Sequence, residues 1–247
     1  MGQFSCGRLF GLRLVTLVFT LSLLGFGGTG DKASAAFEIA ENTFSISNAP
    51  GYCFAMAAFS RWYFLTHNDG VPLRKALNRR VQEQVAKRLQ EFYSKHLIST
   101  QADYCNQHHG NQTESFSNFV GGLLMGEPRL VLLMNKGRRG PILHAVLAYE
   151  WVPEKHLIKV YDPNYCNRER SIDLERGTYS SLDITYHSIC FPEILNDHPE
   201  LVKKMESLYA SVVVPKRTAW NVESRRAIPA AADPRLKREA YSRGPTR

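Results

Sequence analysis

The chain has 247 residues, enough for one large domain or two small ones. Hydrophobic residues make up 44% and charged residues 22%, which excludes a disordered chain. The net charge of +8 is lodged near the ends: residues 215–247 hold nine Lys and Arg against three acids, whereas residues 36–214 hold nineteen of each sign. A neutral body offers no nucleic-acid groove, so no nucleic-acid partner is expected.

Residues 1–35 read as a targeting segment. Arg8 and Arg13 give a positive start, Leu14 to Phe26 is an apolar run, and Ala33-Ser-Ala35 carries the small residues at which a signal peptidase cuts. The rival is a membrane anchor, but spanning takes about twenty apolar residues and this run is shorter. The expectation is a secreted or periplasmic protein, cleaved near Ala35, with no stable transmembrane anchor.

Residues 36–52 read as an extended lead-in, either a short pro-segment or a first strand, closing in the turn Asn48-Ala-Pro-Gly51. From Cys53 to about Thr66 nothing breaks a helix, until His67-Asn-Asp-Gly70 stops it. Leu73, Leu77, Val81, Val85, Leu89, Phe92 and Leu97 then recur at steps of three to five, which predicts one long amphipathic helix begun by Pro72. Residues 98–113 are polar and loop-like. They hold Cys105, His108 and His109, but adjacent histidines point apart and no further ligands stand near, so no metal is expected. Asn111-Gln-Thr113 fits a glycosylation sequon.

Phe116 to Met125 predicts a short helix. Strands follow over Arg129–Met134, Pro141–Val152 and His156–Tyr161, then Ser171–Leu174 and Leu182–Tyr186, an antiparallel meander with tight turns. Residues 198–214 suggest a last helix and strand, and 215–247 a basic, proline-rich flexible tail. After cleavage four cysteines remain, Cys53, Cys105, Cys166 and Cys190. If Cys53 is a working thiol, the other three leave one disulfide and an odd cysteine, with the pairing open.

Three residues carry chemistry. Cys53 opens a helix, where the macrodipole stabilises a thiolate and free amides can bind an oxyanion. His144 lies within the second strand, sharing a face with Ile142, Val146 and Ala148, and there an imidazole needs a partner. Asp162 ends the next strand, in Tyr161-Asp-Pro-Asn164, close enough to fix the imidazole tautomer. His187 is the rival histidine, but no Asp or Asn follows it at a comparable strand end.

Cys53-Phe-Ala-Met56, Leu143-His144-Ala-Val146 and Tyr161-Asp-Pro-Asn164, in that order, resemble the papain-like cysteine peptidases over about residues 45–190. The closer likeness is to bacterial Cys-His-Asp domains such as the bacteriocin-leader-processing peptidases. The resemblance implies an α+β fold, with a helical N-terminal half whose nucleophile helix packs on an antiparallel sheet. It implies Cys53 as nucleophile, His144 as base and then acid, and Asp162 as the orienting group with Asn164 as fallback. The oxyanion would be held by the amide of Cys53 and the side chain of Asn48. The substrate would be a peptide or protein, attacked without a cofactor. Ala55 and Leu143 stand where such domains have glycine, which leaves a non-catalytic binding protein as one alternative; because the sequence does not separate water from amine as acceptor, a transglutaminase-like acyltransferase is another.

Overall fold

The computed structural model describes residues 36–67, 70–107, 112–137 and 140–226. The signal-peptide reading, the His108–His109 pair and Asn111 of the sequon lie outside them. Helix α1 (Ile39–Asn42) is followed by extended chain, then α2 (Cys53–Thr66), α3 (Leu73–Ala76), α4 (Arg79–His96), α5 (Ile98–Gln107) and α6 (Gln112–Leu124). Strands β1 (Arg129–Gly137), β2 (Gly140–Val152), β3 (Leu157–Tyr161), β4 (Glu169–Asp173), β5 (Tyr179–Ser181), β6 (Ile184–Tyr186) and β7 (Ser188–Cys190) come next, and α7 (Glu193–Asn196) and α8 (Pro199–Arg226) close the order.

The fold is α+β. Five strands form one antiparallel sheet in the order β4-β3-β2-β1-β7, and β5 pairs with β6 in a separate hairpin. Alternation sends successive side chains to opposite faces, and both faces are covered. Leu130, Leu132, Ala145, Leu147 and Tyr161 face a core shared with α2, α4 and α8. Val131, Leu133, Val146, Ala148, Ile158 and Val160 face the other way, onto Phe119 and Leu123 of α6 and onto Tyr179 and Tyr186 of the hairpin. Every residue of α2 from Phe54 to Phe64 is buried, as expected for a helix packed on more than one side. Among the described residues no helix is long and apolar enough to cross a membrane.

Several expectations from the sequence are corrected here. The long helix from Pro72 is two helices, because Leu77 leaves helical geometry and Asn78 caps α4, its Oδ1 accepting the Val81 amide at 3.0 Å. Residues 98–107 are helical, not loop, and Gln101 and Cys105 of α5 are buried. The strand expected after the last helix is absent. Val212 and Val213 continue α8, which buries Leu201, Met205 and Leu208 at helical spacing and so overrides the β-branched run. The same helix runs to Arg226, twelve residues into the segment read as tail. The lead-in belongs to the core: Phe44 and Ile46 are buried, and Arg74 holds Thr43 through its carbonyl and hydroxyl oxygens at 3.0 Å.

Candidate active site

Cys53 is the first residue of α2, half-buried and outside any disulfide. Tyr52 provides no side-chain cap, so the first amides of the helix seek other partners. Ala55 N–H donates to Gln90 Oε1 of α4 at 3.2 Å, and the amides of Phe54 and Ala145 point at the sulfur. Burial alone would raise the thiol. Its hydrogen bond to the His144 ring, the charge of that ring and these two amides outweigh burial, and the thiol lies below its ordinary value.

His144 and Asp162 share the sheet face opposite α2. Leu147 pairs with Tyr161 across β2 and β3, so Asp162 falls one step beyond the pairing and His144 becomes its diagonal neighbour. Nε2 of His144 donates to Asp162 Oδ1 at 2.8 Å, which leaves Nδ1 for the Cys53 thiol. Burial would strip the ring of its proton, but Asp162 and Cys53 prevail and hold it up to about 9. Asp162 is fully buried, which would favour its neutral form. Instead its hydrogen bonds to His144, Ser181 and the Asn164 amide hold it below the ordinary carboxyl range.

Three residues of the β5–β6 hairpin complete the surroundings, and sequence reasoning missed them. Tyr179 Oη and Ser181 Oγ each donate to Asp162 Oδ2 at 2.7 Å. The Tyr186 ring stacks on His144 with centroids 5.8 Å apart. The alternating Leu182–Tyr186 stretch was legible as strand, but Tyr179-Ser-Ser181 was not. The hairpin exists because Leu182 adopts a left-handed φ of 52° at the turn, its amide donating to Tyr165 Oη at 2.7 Å.

Asn164, the fallback orienter, stands with Nδ2 3.4 Å from His144 Nε2 and donates to Ser181 Oγ at 2.8 Å. Asn48, assigned from the sequence to the oxyanion, is buried and donates through Nδ2 to Asn164 Oδ1 at 2.7 Å, while its own Oδ1 has no partner among the described residues. His187 is exposed between β6 and β7. Ala55 is fully buried, so its methyl group faces the core, whereas Leu143 is half-exposed beside His144. Cys105 pairs with Cys190 in a disulfide, which removes its sulfur from any metal set, and Cys166 is free, its thiol donating to the Ile46 carbonyl.

The arrangement can activate a thiol: a sulfur at a helix start, an imidazole bonded to it, and a buried carboxylate behind the imidazole. Searches of protein-family models, of curated proteins and of solved structures found no match to this chain.

Proposed function

We propose that the chain is an exported papain-like thiol hydrolase that cleaves peptide or isopeptide bonds through an acyl-enzyme on Cys53. The observation that carries this reading is the continuous line from Cys53 through His144 to the buried Asp162. A cysteine that only packed would gain nothing from an imidazole with a buried carboxylate behind it. The disulfide between Cys105 and Cys190 supports an oxidising compartment, and with it the exported address.

In this reading the thiolate of Cys53 attacks the scissile carbonyl and the carbonyl π electrons move onto oxygen, where the amides at the start of α2 hold them. The tetrahedral species collapses, the C–N bond breaks, and His144 gives its proton to the leaving amine. Water then attacks the thioester, His144 takes its proton, and the acid product leaves with the thiolate restored. Asp162 keeps Nδ1 turned to the sulfur throughout.

The test is the rate of Cys53 alkylation by iodoacetamide against pH, read by mass spectrometry on the Cys53 peptide so that Cys166 does not interfere. The wild type is expected to react rapidly well below the free-thiol value of about 8.5, and His144→Ala to lose that reactivity by tenfold or more at about pH 6. A Cys53 that is inert at neutral pH, or indifferent to His144, overturns the reading.

A further inference from the structure

We propose that Tyr179 and Ser181 are positioning residues of the thiol site, acting through Asp162, and that Asn48 ends the same hydrogen-bond chain as a strut. The proposal rests on the Cys53–His144–Asp162 reading above. Its support is a run of hydrogen bonds whose direction is fixed at one end.

An ionised carboxylate only accepts hydrogen bonds. Ser181 has one hydroxyl proton and sits 2.7 Å from Asp162 Oδ2, so that proton goes to the carboxylate. The serine oxygen then accepts from its other neighbour, and Asn164 Nδ2 stands 2.8 Å away to donate. This sets the Asn164 amide with Oδ1 on the far side, where it receives Asn48 Nδ2 at 2.7 Å. Reversing Asn48 would set two acceptors against each other. Each bond in the chain therefore points toward Asp162, and the amide orientations of both asparagines follow from the carboxylate's charge.

Four donors meet the two oxygens of Asp162. His144 Nε2 and the Asn164 backbone N–H take Oδ1, both at 2.8 Å, and the Tyr179 and Ser181 hydroxyls take Oδ2. Asp162 has no solvent contact, and Ser181 and Tyr179 are almost as enclosed, so no water replaces a lost donor. The two hydroxyls fix the plane of the carboxylate and favour its ionised form, and the ionised form favours the imidazolium that faces Cys53. The other ionisable groups around Asp162 are Tyr161 beside it on β3, Arg170 on β4 and Tyr186 on β6. Asn48 spends one of its two Nδ2 protons on Asn164 and has an enclosed Oδ1, which holds its amide at the end of this chain.

The experiment is the same Cys53 alkylation profile on the full chain, in Ser181→Ala, Tyr179→Phe and Asn48→Ala, with thermal unfolding as the check on folding. Removing a donor from the carboxylate favours protonation of the cluster. The low-pH edge of Cys53 reactivity is therefore expected to rise by about one pH unit in Ser181→Ala and in Tyr179→Phe, and by less in Asn48→Ala. Ser181→Ala deletes one atom and carries the test if Tyr179→Phe does not fold. Alkylation forms no oxyanion, so an Asn48→Ala profile identical to wild type overturns the strut assignment. A wild type with the low-pH thiolate, and serine and tyrosine variants that keep its edge, overturns the positioning role while the thiol-hydrolase reading stands. A wild type without that thiolate ends both.

Discussion

In the proposed reaction His144 must hold a proton to protect the thiolate and release it to a leaving amine. Its ring keeps the proton up to about 9, above the ordinary 6.5, since Asp162 and Cys53 outweigh the burial that opposes them. A folded-state value above the unfolded one contributes stability that is fully present below about pH 6.5 and drains away as pH rises through about 9. Asp162 is shifted the other way. Its contribution is present above the ordinary carboxyl value of about 4 and is lost as pH falls through its depressed folded value. Cys53, held below its ordinary value, contributes with the opposite sign and offsets the His144 loss, so the acid flank is the clean readout. Asp162→Asn should flatten the fall of unfolding temperature below about pH 4, as a pH series of melting curves would show. The two kinetic readouts should also separate near the alkaline edge. Alkylation needs only the thiolate and should persist above about pH 9, whereas peptide cleavage needs the imidazolium and should fall there. Parallel decline of both would contradict the acid role of His144. At this scale the sequence disclosed residues whose chemistry is local: a cysteine after a turn, a histidine inside a strand, an acid at a strand end. Tyr179 and Ser181 were hidden because they reach Asp162 from 17 and 19 residues away, across a hairpin with no signature beyond a short alternation.

The elements that were legible are those with one period and one terminator. Helix α2 was readable from its unbroken apolar run, β1 from a continuous apolar run of strand length, and β2 and β3 from strand-length runs bounded by turn residues. The boundary between α3 and α4 was not, because apolar spacing continues through Leu77 while the backbone does not. Asn78 marks the restart through its bond to the Val81 amide, and Asn78→Ala is expected to cost about 1 kcal/mol of stability, with Asn78→Asp close to wild type. Denaturant midpoints compare the three proteins directly. Helix α5 escaped detection for another reason. Its polar composition resembles a loop, and its folded form depends on burying Gln101 and Cys105 against the rest of the chain.

At the scale of the whole molecule, the sheet carries the site by having two occupied faces. The helical face supplies the sulfur, and the opposite face supplies the imidazole and its carboxylate. Sequence reading foresaw the mixed architecture but left open one disulfide or two and which cysteines pair, since pairing depends on where α5 lies relative to β7. With Cys105 and Cys190 separated by 85 positions in sequence, the chain-entropy model gives the bond about 4 to 5 kcal/mol. Cys105→Ser should lower the denaturant midpoint by a matching amount, and a variant that unfolds at the wild-type midpoint would show that the link adds nothing. The bond also turns residues 105–190 into a closed loop that encloses His144 and Asp162 and leaves Cys53 outside. A protease that cuts once within that loop leaves both pieces on one covalent molecule, separable only after a thiol reductant. A cut between α2 and α3 separates Cys53 from His144 with no covalent link to keep the two pieces together.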